Sequence, residues 1–153
     1  METKGIERLQ NYWYGLLARR DYSESELRKK AGEKGYELEI VSQGIILFLE
    51  QNLINDARLA TNIVEFYGAQ RGPMWLQTKL IKRGLHREII SDALEHFVPV
   101  VDTVFLHNLL RKYQITTRDQ VDFALRSKLY RAVAAKGYTN IREIVDQAIE
   151  TLD

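Results

Sequence analysis

The sequence predicts an all-α protein of three tandem three-helix repeats that form an elongated, curved array, and three observations predict it. Only two prolines, Pro73 and Pro99, interrupt the 153 residues. Apolar residues recur at three- and four-residue spacing almost throughout, while the alternation of a half-buried strand is hard to find. A basic residue followed by glycine occurs three times, as Lys34-Gly35-Tyr36, Arg83-Gly84-Leu85 and Lys136-Gly137-Tyr138. These glycines lie roughly 50 positions apart, a period in the range of helical repeat proteins.

In the first repeat, 1–54, Ser23 and Glu26 have the spacing of a capping box, so a helix starts there. Leu27 and Ala31 form an i, i+4 apolar pair before Gly35, which is suited to a left-handed helix cap. A second amphipathic helix follows through Leu38, Val41, Ile45 and Leu49. The period leaves room for one further helix per repeat. In the second repeat, 55–98, a helix over 56–67 places Ala60, Ile63, Val64 and Tyr67 on one side. Gly72-Pro73 then puts proline at a first helical position, where its missing N–H costs nothing. Leu76 and Leu80 precede Gly84, and Ile89, Ile90, Ala93 and Phe97 form the next apolar stripe. In the third repeat, 99–153, Thr117 and Gln120 repeat the capping-box spacing, Leu129 and Val133 precede Gly137, and Ile141, Val145, Ala148 and Leu152 close the chain. A unit of this size is marginal alone, so neighbours share core and present a long concave surface, which suits a long partner.

Composition narrows the function classes. With 45% hydrophobic and 28% charged residues the chain suits an ordered protein of about one domain. There is no cysteine, hence no disulfide framework, thiolate metal site or cysteine nucleophile. No signal-peptide pattern opens the chain, and its longest apolar run, Ile45 to Leu49, is far below the roughly 18 residues of a membrane span. The expectation is a soluble cytoplasmic protein with no membrane partner.

Net charge is +1, too balanced for a general polyanion binder, so placement matters more than total. Between Phe66 and Arg87 stand Arg71, Lys79, Lys82, Arg83 and Arg87 with no acidic residue among them. On a helical wheel Leu76 and Leu80 fall together, while Trp75, Lys79 and Lys82 group on a neighbouring face. Arg83 borders that stripe, and Arg71 and Arg87 lie just beyond the helix ends. Such cations meet phosphates, and an aromatic stacks on an unpaired base or fills a partner's pocket. A solvated helix face with Trp75 packed between repeats accounts for the same residues. Arg126 and Arg131, with Lys128 and Tyr130, form a second basic-aromatic set. Arg19-Arg20 and Arg28-Lys29-Lys30 are interleaved with Asp21, Glu24, Glu26 and Glu33, which favours pairing along the helix.

In order along the chain, Leu17-Ala18-Arg19-Arg20-Asp21-Tyr22-Ser23-Glu24 with Glu26-Leu27, Asn55-Asp56-Ala57-Arg58 with Ala60, Gly72-Pro73 with Leu80 and Arg83-Gly84-Leu85, and Lys136-Gly137-Tyr138 resemble the RecX family of RecA regulators. The likeness covers nearly the whole chain, apart from a stretch from about Phe97 to Gln120. The ordered combination carries it, not any single motif. The chain departs from the family pattern at Lys79, Leu59 and Asn55. A monomer is expected; separately, the resemblance implies a bacterial cytoplasmic protein of three three-helix repeats lying in the groove of the RecA filament on single-stranded DNA. There it implies inhibition or other modulation of ATP hydrolysis, strand exchange and co-protease activity. A DNA-binding repeat protein of another pathway and a purely protein-binding scaffold are the alternatives.

The residues offer little to an enzyme. His86, His96 and His107 form no i, i+4 pair and no H-E-x-x-H pattern, so neither a metal nor a cofactor is expected. No phosphate-binding G-x-x-x-x-G-K-[ST] loop occurs. Glu24 and Glu26 point apart on a helix, against a paired general acid and base.

Overall fold

The computed structural model describes residues 2–153, with side chains from Gly5 onward. The described residues form α-helices and one 3-10 turn, without strands. The helices are α1 (Glu2–Leu17), α2 (Glu24–Glu33), α3 (Leu38–Glu50), α4 (Asp56–Tyr67), α5 (Pro73–Lys82), α6 (Arg87–Leu94), α7 (Thr103–Lys112), α8 (Phe123–Ala135) and α9 (Ile141–Glu150). No described helix is long and apolar enough to cross a membrane.

Gly35, Gly84 and Gly137 all have positive φ, at 85°, 74° and 89°. The two apolar residues upstream of each, Leu27 and Ala31, Leu76 and Leu80, Leu129 and Val133, are fully buried. At each turn the helix therefore ends because only glycine adopts this conformation without cost.

The chain divides into two compact units. The first comprises residues up to Asn62 together with Lys79–Glu95. Its core joins Leu9 and Trp13 of α1, Leu27 and Ala31 of α2, and Val41, Ile45 and Phe48 of α3. Trp13 and Phe48 meet edge to face at 5.3 Å. The second unit comprises Ile63–Thr78 and His96–Asp153. Its core joins Leu106, Leu109 and Leu110 of α7, Leu129 and Val133 of α8, and Ile144, Val145 and Ala148 of α9.

Three local expectations need correction. Leu38 and Leu49 are 84% and 48% exposed, because the buried stripe of α3 runs through Val41, Gly44, Ile45 and Phe48. That stripe is centred about 70 to 90° away from both leucines on the helical wheel. Phe97 lies beyond the end of α6. The Thr117 and Gln120 capping box is present but opens only a 3-10 turn and not an α-helix. Gln120 Oε1 accepts from the backbone N–H groups of Thr116 and Thr117 at 2.6 and 2.9 Å, over the 3-10 turn Arg118–Gln120. Helix α8 is started instead by Asp122, whose carboxylate accepts from Leu125 N–H at 2.8 Å.

Candidate functional site

In the first unit the capping box at Ser23 is also a tertiary knot. The Ser23 hydroxyl accepts from Glu26 N–H at 3.1 Å and donates to the Arg83 carbonyl at 2.6 Å, and Ser23 is fully buried. Glu26 Oε1 accepts from Ser23 N–H and from Arg83 Nε, both at 3.0 Å, and Oε2 accepts from Arg20 at 3.2 Å. The other arm of Arg83 donates to the Asp21 carbonyl at 2.9 Å. Burial by itself would raise the Glu26 carboxyl, but the Ser23 N–H, Arg83 and Arg20 outweigh it and hold the group below the usual carboxylate range. Arg83 is thus bound to the fold at both ends of its guanidinium. Arg28 pairs with Glu24 at 3.2 Å along α2, as the interleaved charges suggested.

The remaining cations of the acid-free stretch in this unit differ in exposure. Lys82 and Arg87 are exposed, whereas Lys79 is half-buried and has an interaction partner.

In the second unit, Trp75 is half-buried within an aromatic series. Phe66 meets Tyr67 edge to face at 4.8 Å, Tyr67 meets Trp75 at 4.9 Å, and the Arg71 guanidinium lies 5.2 Å from the Trp75 ring. Phe66 itself is 75% exposed. Arg71 directly precedes the place where two backbones touch. Gly72 N–H donates to the Lys136 carbonyl at 2.8 Å, and Met74 N–H donates to the Gly137 carbonyl at 3.0 Å. A side chain on Gly72 would strike the Gly137 backbone, and one on Gly137 would strike Trp75. Two glycines therefore let the start of α5 lie against the end of α8, which brings Arg71 near Lys136.

Lys136 is the centre of a basic cluster. Burial lowers its ammonium below the ordinary lysine range, and the charges of Arg71 and Lys112 lower it further. Its amine lies 5.6 Å from the Phe105 ring, which in turn meets Tyr138 edge to face at 5.3 Å. Beside it opens a cleft of about 410 Å³ lined by Gln70, Asp102, Phe105, Asn108, Lys112 and Lys136, among others. Asp102 caps α7, accepting from Phe105 N–H at 2.8 Å. The Tyr138 hydroxyl is buried without a hydrogen-bond partner, and burial raises its pKa.

Of the other expected residues, Arg126 donates to Asp146 at 2.8 Å and lies within 3.4 Å of the Tyr130 hydroxyl, while Arg131 is exposed. Sequence reasoning does not single out Lys112, Phe105 or Lys136 as site residues. Lys136 stands in the third basic-glycine turn, where the pattern by itself marks only a helix end. Among the described residues no group of three His, Asp or Glu could hold a metal ion.

No family model matches the chain. It is similar to the regulatory protein RecX of Pasteurella multocida, 34% identical over 131 residues that make up 84% of this chain and 79% of that protein. The RecX of Clostridium perfringens is 30% identical over 118 residues, 76% of this chain, and the chain spans 56% of that relative's length. The fold is similar to that of crystalline RecX from Lactobacillus salivarius, with a TM-score of 0.76 at 20% identity over 99% of this chain and 98% of the other. A second RecX crystal structure gives 0.75 at 22% identity, over 95% of this chain and 73% of the other. The two structures agree with the all-α architecture, and identity of this level over most of the Pasteurella relative carries the assignment: the chain belongs to the RecX family of regulatory proteins.

Proposed function

We propose that the chain regulates the RecA recombinase by binding the RecA filament on single-stranded DNA, restraining its ATP turnover, strand exchange and co-protease activity, without catalysis of its own. The observation that carries this reading is the 34% identity to a regulatory RecX protein over most of both chains. In this reading the chain is a cytoplasmic monomer, its helices form three tandem repeats, and its partner lies along them. The acid-free stretch supplies the contacts. Lys82 and Arg87 are exposed in the first unit, and Trp75 with Arg71 belongs to the second. Arg83 and Arg126 support those surfaces through their pairs with Glu26 and Asp146, and Arg131 adds an exposed charge.

The test is RecA's DNA-dependent ATP hydrolysis as a function of added protein. Turnover is expected to fall at sub-stoichiometric ratios, while the protein alone hydrolyses nothing. A rise would keep the partner and reverse the sign. Unchanged turnover at a stoichiometric ratio would remove the proposal.

A further inference from the structure

The second unit holds three neighbouring cations, Arg71, Lys112 and Lys136, that lie over aromatic rings and have no described carboxylate within ion-pair distance. Among the described residues Arg20, Arg28, Arg83, Arg126 and Arg142 each have a carboxylate within ion-pair distance. Arg71, Lys112 and Lys136 have none, although they lie near enough for Lys136 to feel both of the others. Like charges repel, so bringing three together costs free energy unless something anionic joins them. Here the backbone enforces the arrangement, because Gly72 and Gly137 lock the residue after Arg71 against the carbonyl of Lys136.

The cleft beside these cations has the features of a small-ligand pocket. Its volume of about 410 Å³ lies within the roughly 300 to 1,000 Å³ of such sites. One wall is the Phe105 ring, and the Gln70 and Asn108 amides supply both hydrogen-bond donors and acceptors. One carboxylate, Asp102, also lines the cleft; it caps α7 through Phe105 N–H and keeps its negative charge, so the two lysines of the lining outnumber it by one. Behind Phe105, the Tyr138 hydroxyl is 2% exposed as part of its residue, has no partner, and stands in the field of Arg71 and Asp102. A phosphate answers the cations, an aromatic wall suits a base, and amides suit the edge of that base.

We propose that this cleft is a binding site for a nucleotide, with Lys112 and Lys136 receiving its phosphate, Arg71 adding its charge from beside Lys136, and Phe105, Gln70 and Asn108 receiving its base. The shared chemistry has two sources: one residue of an unpaired strand, or a free nucleoside phosphate. The strand arm rests on the RecA-filament reading given above, and the free-nucleotide arm does not.

The experiment uses the full chain and its Lys112→Gln/Lys136→Gln variant. The probes are a fluorescent oligothymidylate, read by anisotropy, and ADP, read by calorimetry. The parent is expected to bind at least one of them, and the double variant to bind it about tenfold or more weakly. If the strand is the source, the slope of log affinity against log salt becomes shallower by about 0.7 for each phosphate that the variant no longer neutralises. If ADP is the source, calorimetry alone shows the weakening. The Lys112→Arg/Lys136→Arg variant should retain binding within about threefold, and an Arg8→Gln/Lys29→Gln control should retain it fully, since both control residues are exposed and lie in the other unit. The idea is overturned if the parent binds neither probe, if the Gln variant binds as well as the parent, or if the control pair weakens binding equally. It is also overturned if only filament binding falls while both probes bind normally, which would assign the cleft to an acidic group of a protein. A parent that binds a probe through these lysines yet leaves RecA turnover unchanged would remove the RecA reading and keep the cleft.

Discussion

At Glu26, burial and hydrogen bonding pull in opposite directions. Taking a carboxylate out of water raises its pKa, but two N–H donors on Oε1 and the charges of Arg83 and Arg20 favour the ionised form more. The folded pKa is therefore below the unfolded value near 4.5. A depressed carboxyl contributes stability above the unfolded pKa and loses it as pH falls through the folded one. Glu26→Gln is expected to cost about 1 to 3 kcal/mol at neutral pH, and less as the pH drops below the unfolded value. Urea denaturation of both proteins across the acid range checks this, and an equal cost at every pH would assign the loss to geometry and not to charge. The capping box was legible in the sequence because Ser23 and Glu26 are three residues apart. The tie to Arg83 was not, because it joins residues 57 positions apart and no local pattern encodes it.

Among the elements, the basic-glycine turns were the readable feature, since a left-handed cap has a strong residue preference. What periodicity could not supply was register. In α3 both Leu38 and Phe48 are apolar, and only packing against Trp13 decides that Phe48 is inside. Helix α7 matched no motif, since its clearest signal is the single N-cap Asp102. Equal-looking turns also differ in consequence. Gly35 and Gly137 share nearly the same φ, so alanine costs about 1 to 2 kcal/mol at either from conformation alone. Around Gly35 there is open space for a methyl group, whereas at Gly137 it would meet the Trp75 backbone, which cannot rotate aside. Gly137→Ala should therefore destabilise by roughly 1 to 3 kcal/mol more than Gly35→Ala, the usual range for overpacking. Thermal or urea unfolding of the two variants decides it, and equal losses would mean that the α5 and α8 backbones part easily.

For the molecule as a whole, the formal charge of +1 separates two explanations of how it meets a charged partner. General attraction depends on the total, and neutralising any two cations reverses its sign. Specific contact depends on which two. The acid-free stretch was visible in the sequence as a bare excess of five cations, but their roles emerge only from the fold. Arg83 is held by Glu26, Lys79 is half-buried, and Arg71 belongs with Lys112 and Lys136 in the second unit. Lys82 and Arg87 remain as exposed charges of the first unit. On the RecA reading, Lys82→Gln with Arg87→Gln should weaken the effect on RecA turnover about five- to tenfold, roughly 1 to 1.4 kcal/mol. Stability should change by no more than about 0.5 kcal/mol, because neither residue is a cap or a core contact. Affinity for a free oligothymidylate should stay within about twofold, because a chain so nearly neutral has little general attraction for nucleic acid. Titrating RecA ATP hydrolysis with this variant and with the Arg8→Gln/Lys29→Gln pair makes the comparison at equal net charge. Equal weakening by both pairs would mean that total charge acts and that the position of Lys82 and Arg87 has no special role.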